Sequence, residues 1–185
     1  MRLVISTLKG DVQAAASAGY SGNLCWLDYM ISTRLEFVRP SELWEHEEVD
    51  PGRLQKTFRI IKEQGVLKRS LAVDSRTLVV LDGVHRLNVL RQLRCMRVPV
   101  CLFDYMSEEI VVGVADRKKI ISKEDVIDAA LSGRKFPPRT TWHMVRADDG
   151  SLKHISCIEK EIRSPLITLS AEGAIQPERD GIGTI

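Results

Sequence analysis

The stretch VVLDGVHRLNVLRQL, Val79 to Leu93, constrains this chain more than any other. An apolar run leads into Asp82 and Gly83, and from Val84 onward Leu87, Leu90 and Leu93 recur on one side. The pattern predicts a strand, a tight glycine turn and a helix. A helix start exposes unpaired N–H groups and the positive end of the helix dipole, so an anion such as phosphate is its natural guest. Gly83 lets the backbone approach a ligand closely. His85 and Arg86 add donors, and arginine can bind phosphate in bidentate fashion. Asp82 would repel an anion unless a magnesium ion or a substrate ammonium stood between them. Taken alone, the same residues also fit a capped tight turn, a packed histidine and a surface ion pair.

The surrounding chain alternates strands and helices. LEFVRPSELW, Leu35 to Trp44, predicts a short strand and a turn at Pro40 and Ser41. Asp50 is a helix cap, Pro51 suits the first helical position, and Leu54, Phe58 and Ile61 follow at helical spacing up to Gly65. SLAVDSRTLVVLDG predicts two strands with Asp74 and Ser75 in the turn. RVPVCLFDY predicts a strand that Pro99 confines to an edge or an irregular start. EEIVVGVAD predicts another strand. In SKEDVIDAALSGR, Ser122 and Asp125 form a capping box and Gly133 ends the helix. KFPPRTTWHMV must be extended, because two prolines forbid helix there. Residues 1–34 form an appendage, residues 35–170 the domain, and the glycine-rich residues 171–185 a loose tail.

With 27 basic and 25 acidic side chains, the net charge of +2 argues against nucleic-acid binding by charge alone. The four cysteines, Cys25, Cys95, Cys101 and Cys157, show no C-x-x-C spacing. With no secretion signal legible, reduced thiols in a cytoplasmic protein are expected. The opening apolar run stops at Lys9 and Asp11, and no apolar stretch reaches transmembrane length. Oligomeric state is not legible.

Two further segments carry chemistry-bearing side chains. WEHEEVDP places His46, Glu47 and Glu48 just before a helix. They read as a solvated acidic helix start, or as the location of a general base. PPRTTWH presents Thr140, Thr141 and His143 on a proline-stiffened segment, which reads as a plain edge strand or as a rigid set of donors for a small ligand.

Together these segments resemble a known family. LDGVHRLNVLRQLRCMRVPVCLFDY is similar to the D-G-x-H-R segment of the ParB/sulfiredoxin fold. FVRPSELWEHEEVDPGRL and SKEDVIDAALSGRKFPPRTTWH extend the likeness to the free L-serine kinases of that superfamily, across most of residues 36–145. The resemblance implies an α/β (α+β) ParB/sulfiredoxin-like domain with a small mixed sheet flanked by helices. It implies phosphoryl transfer from ADP or ATP to the hydroxyl of free L-serine, giving O-phospho-L-serine for cysteine or serine metabolism. Glu47 matches the catalytic base and Glu48 its neighbour. Asp82, Gly83, Val84, His85 and Arg86 match the nucleotide-phosphate region, with Asp82 the magnesium position. Thr141 and His143, beside Thr140, match the substrate-holding residues. Trp142 stands where the family usually has arginine, and EEIVVGVAD lacks a tryptophan that some members carry.

Three rivals share the scaffold. Sulfiredoxin chemistry needs a cysteine where this chain has Val84, which excludes it. A DNA-binding partition protein would carry a helix-turn-helix domain, and the residues after 145 show no clear helix pair. A ligand-sensing regulator without kinase activity stays open because of Trp142.

Overall fold

A computed structural model describes residues 31–116 and 118–170. The expected N-terminal appendage up to residue 30 and the tail from 171 lie outside the described residues. Ile31 is buried in the core and Arg34 opens the first strand, so the last residues of the expected appendage belong to the domain.

Strand β1 (Arg34–Val38) is followed by a 3-10 turn at Pro40–Glu42 and the two-residue β2 (Trp44–Glu45). Helix α1 (Pro51–Gln64) has the expected ends. Asp50 accepts from the Arg53 N–H at 3.0 Å, and Gly65 closes the helix at φ +66°. Strands β3 (Val66–Arg69), β4 (Leu71–Asp74) and β5 (Val79–Asp82) lead to helix α2 (Val84–Gln92) and strand β6 (Val98–Phe103). The β4–β5 turn is built by Asp74, whose carboxylate accepts from the Thr77 N–H and hydroxyl at 2.9 and 2.6 Å.

These strands form a mixed five-stranded sheet in the order β1-β6-β4-β5-β2. β2 runs parallel to β5, and β4 parallel to β6. Of the two expectations for Pro99, an edge position is corrected, since β6 lies inside the sheet between β1 and β4, while Pro99 does sit at the start of the strand. Proline is tolerated there because the β4 ladder begins one residue later, at the Leu71–Val100 pair.

β7 (Ile110–Val114), α3 (Lys123–Leu131), β8 (Thr141–Arg146) and β9 (Leu152–His154) follow, then a 3-10 turn at Ile155–Ile158, β10 (Glu161–Pro165) and the short α4 (Leu166–Ser170). β7, β8 and β9 make a three-stranded antiparallel sheet, and β10 pairs with β3. The capping box at Ser122 and Asp125 is present, with bonds of 3.1 and 2.8 Å.

Two apolar clusters flank the larger sheet because its central strands β4 and β6 are buried throughout. Leu71, Val73, Val80, Leu87, Leu90, Val100 and their neighbours pack with α1 and α2. Val79, Leu81, Phe103, Tyr105, Val126, Ala130 and Val145 pack with α3 and the smaller sheet. No described helix is long and apolar enough to cross a membrane.

Candidate functional site

Asp82 ends β5 and Gly83 turns the chain into α2 at φ +99°, a left-handed conformation natural to glycine. No side chain caps α2, so its first N–H groups are left without a side-chain acceptor. Gly83, Val84 and His85 line a cavity of about 620 Å³. Glu47, Glu48, Asp82, Arg86, Thr141 and His143 line the same cavity. Three segments that are distant in sequence therefore meet, as the resemblance implies. Thr140 does not line it: its hydroxyl donates to the Pro137 carbonyl at 2.8 Å.

The loop before β8 is fastened beside Glu47 by backbone pairing. The Phe136 N–H donates to His46 O, and the Glu48 N–H to Phe136 O, both at 2.8 Å. Thr141 and Arg139 are thereby brought to the Glu47 carboxylate. Its Oε1 accepts from the Thr141 N–H and hydroxyl, both at 2.7 Å, and its Oε2 from the Arg139 N–H at 2.9 Å. Arg139 adopts a left-handed φ of +63°, which aims that N–H at Glu47. Oε2 has one protein donor and keeps a lone pair for a ligand. Beneath this loop, buried Glu45 accepts from Arg91, from Asn88 Nδ2 at 2.9 Å and from Lys135 Nζ at 2.5 Å. Glu45 thus ties α2 and the loop to β2, which fixes the distance between the Glu47 side of the cavity and the Gly83 side.

A buried chain of rings lies behind Thr141. His46 Nδ1 stands 2.9 Å from Val80 O, which can only accept, so Nδ1 carries the proton and Nε2 is bare. His143 Nε2, at 3.3 Å, donates to that bare nitrogen. His143 Nδ1 then accepts from the Tyr105 hydroxyl at 3.1 Å. Both ring nitrogens of His143 are engaged, so it orients its neighbours and has no free donor for a substrate. Burial, reinforced by His46, holds His143 well below its usual value. Burial also lowers His46, although Glu47 opposes it. Burial lifts the Tyr105 hydroxyl well above its ordinary value.

On the other side of the cavity, His85 Nε2 accepts from the Asp50 N–H at 3.3 Å, which leaves Nδ1 as a donor. Burial and Arg53 lower His85 below its usual value. Arg86, expected as a phosphate ligand, is engaged within the protein. Its Nη2 donates to Asp82 Oδ2 at 3.0 Å and to Glu159 Oε1 at 2.5 Å, and its Nη1 to Ser70 O at 2.7 Å.

Sequence reasoning missed the cavity's free cations. Arg53 and Lys56 sit one turn apart on the exposed side of α1 and both line the cavity. Their spacing was visible, but it is that of any solvated helix face. Glu159 and Glu45 gave no signal either, because each is defined by partners far away in the chain. Trp142 is exposed between the buried Thr141 and His143 of β8, with its indole across Gly113 of β7, and it too lines the cavity.

Among the described residues, no group of three or more side chains could hold a metal ion. Asp82, a carboxylate in the cavity lining, would offer a magnesium ion one protein ligand, the rest having to come from a bound anion and water.

No family model matches the chain. It is 30% identical over 98 residues to a ParB-like protein of Sulfolobus acidocaldarius, covering 53% of this chain and 48% of that protein. It is 32% identical over 73 residues to an ATP-dependent L-serine kinase of Staphylothermus marinus, covering 37% of this chain and 29% of that one. The matched regions thus span less than half of either curated relative. Among solved structures, a free serine kinase in complex with AMP matches with a TM-score of 0.60 at 14% identity, over 76% of this chain and 97% of that chain. A free serine kinase variant in complex with ADP matches with a TM-score of 0.60 at 13% identity, over the same shares. A C-terminally truncated SbnI from Staphylococcus aureus matches with a TM-score of 0.55 at 14% identity, over 73% of this chain and 88% of that one. The chain is therefore a mixed α/β protein with the fold of the free serine kinases, and it shares sequence with a ParB-like protein and an L-serine kinase.

Proposed function

We propose that this protein is a nucleotide-dependent kinase of free L-serine, producing O-phospho-L-serine. One observation carries the reading: an oriented carboxylate, Glu47, and an uncapped helix start at Gly83 face one cavity. The structural relatives that share this fold include free serine kinases bound to AMP and ADP.

The donor's terminal phosphoryl group would lie against the first N–H groups of α2, where the helix dipole favours negative charge. His85 Nδ1–H and the cations Arg53 and Lys56 would complete its surroundings. Arg86 would act on the phosphate through Asp82 and the Gly83 turn, since both its Nη nitrogens are engaged within the protein. Magnesium, held by the nucleotide and Asp82, would neutralise phosphate charge.

The acceptor hydroxyl would stand between the phosphoryl group and Glu47 Oε2. As its oxygen bonds to phosphorus, the bond from phosphorus to the nucleotide oxygen breaks, and the hydroxyl proton passes to Glu47. The Thr141 and Arg139 donors hold the carboxylate in place during this transfer. ADP would leave AMP, and ATP would leave ADP.

Incubation with serine, magnesium and each nucleotide, followed by phosphorus NMR, tests the reading. Phosphoserine should form with one of them, and Glu47→Gln should lower turnover by about two orders of magnitude or more while nucleotide still binds. Full activity in the Gln variant would remove Glu47 from the role of base. A ParB-like regulator is the second reading, favoured by the Sulfolobus relative. Nucleotide or DNA binding with no serine-dependent turnover would establish it instead.

A further inference from the structure

Arg139 occupies a backbone position that disfavours its own kind of residue. Its φ is +63°, in the left-handed region where glycine is at ease and a residue with a β-carbon is strained. The loop around it holds that conformation. Pro137 and Pro138 precede it, the Thr140 N–H and hydroxyl both donate to the Pro137 carbonyl at 3.3 and 2.8 Å, and the Ala115 N–H donates to Thr140 O at 2.9 Å. The conformation aims the Arg139 N–H at Glu47 Oε2, 2.9 Å away. Glycine would supply the same N–H with less strain, so the N–H alone does not account for an arginine here.

The Arg139 side chain lines the cavity that Glu47 lines. Among the described residues its guanidinium makes no hydrogen bond, and its ion pair with Asp50 Oδ2 is 3.5 Å long. That is well beyond the separation of a charge-assisted hydrogen bond. Arg86 and Arg91 differ, because both Nη nitrogens of each are engaged within the protein. Arg53 and Lys56 are also cations of this cavity, but they rise from α1, and Arg53 bears on His85. Arg139 is the cation whose own backbone holds the Glu47 carboxylate.

Resting on the reading of this cavity as a kinase site, we propose that the Arg139 guanidinium binds the carboxylate of the acceptor, which restricts the reaction to alcohols that carry an acid group close to the hydroxyl. In a β-hydroxy acid, two carbons separate the hydroxyl oxygen from the carboxyl group, a span of about 4 Å. An acceptor whose hydroxyl meets Glu47 Oε2 therefore carries its carboxylate close to the residue whose N–H touches that same oxygen. Without a cation there, the carboxylate would face Glu47 and Glu48, both of its own charge. The planar guanidinium offers it two parallel N–H donors, a fit that a lysine lacks.

The test compares L-serine with L-serinamide, which keeps the hydroxyl and the amine but carries no carboxylate charge. Wild type should favour serine in kcat/KM by about tenfold to a hundredfold, most of it in KM. Arg139→Met should bring that ratio toward unity. A wild-type ratio already near unity, or a Met variant that keeps the wild-type ratio, would overturn the proposal. Arg139 also bears on His85, so a donor phosphate is the competing guest for its side chain. A fall in ADP affinity by calorimetry that matches the fall in serine turnover, with the acceptor ratio unchanged, would assign it to the donor and overturn the proposal too. Should the Met variant turn over neither acceptor, Arg139→Lys decides: a cation without the planar fork should give an intermediate ratio, and the full wild-type ratio would count against carboxylate binding.

Saturation-transfer NMR of the two acceptors on the full chain with ADP reads the same preference without turnover. If no phosphoserine forms but serine binds in preference to serinamide, and Arg139→Met removes the preference, the kinase reading falls and this one stands. Wild type that binds neither acceptor would overturn both.

Discussion

At Gly83 an added methyl group meets two separate obstacles. The backbone sits at φ +99°, where an L side chain is strained by about 1–3 kcal/mol. The new β-carbon would also stand 2.9 Å from Leu71 Cγ and 3.0 Å from Arg86 Nη2. Leu71 is fully buried in the core and Arg86 is locked by Asp82 and Glu159, so neither can swing away freely. Overpacking of this kind costs about 1–3 kcal/mol. Gly83→Ala should therefore lose about 2–6 kcal/mol, a large share of the roughly 5–15 kcal/mol typical of a domain. In thermal unfolding that corresponds to a drop on the order of 10 °C. Gly133 supplies the control, because it has φ +72° and nothing within 4 Å of an added β-carbon. Gly133→Ala should show the strain alone, about 1–2 kcal/mol. Urea unfolding of both variants separates the two contributions. Equal losses at the two positions would refute the close packing of the turn on Leu71 and Arg86. A loss under about 0.5 kcal/mol at Gly83 would refute the strain as well.

Gly113→Ala should destabilise by about 1–3 kcal/mol, since its β-carbon would fall 1.8 Å from Trp142 Nε1. Adding Trp142→Ala should recover most of that loss, and additive losses in the urea double-mutant cycle would show that the indole does not cover Gly113. The buried, neutral His143 predicts acid sensitivity. Its folded value is lowered, so the stability it contributes is present above the unfolded value of about 6.5 and is lost as pH falls below it. Urea midpoints from about pH 7.5 to about pH 5 should fall more gently in His143→Gln than in wild type, and parallel slopes would contradict the assignment.

Local rules made much of the scaffold legible. Asp50, Pro51 and Gly65 bound α1 because capping depends on neighbours in sequence, and Ser122 with Asp125 bounds α3 for the same reason. Pro99 misled because its cost depends on which strand pairs beside it, and that is decided by the sheet. The short strands β3, β9 and β10 gave no distinct signal, since three to five residues carry little periodicity.

The sequence by itself determined the strand–glycine–helix junction at Asp82 and Gly83, because backbone torsion and helix-end chemistry are local. It also marked Glu47, Thr141 and His143 as residues of interest. Tertiary structure alone decided what each of them does. It spent the donors of Arg86 on Asp82 and Glu159, closed His143 between His46 and Tyr105, turned Thr140 toward Pro137, and brought Arg53 and Lys56 to the cavity. The physical reason is that a side chain's hydrogen-bonding capacity is finite, and the partners that use it up can come from far along the chain, as Glu159 does for Arg86 at 73 residues and His46 for His143 at 97.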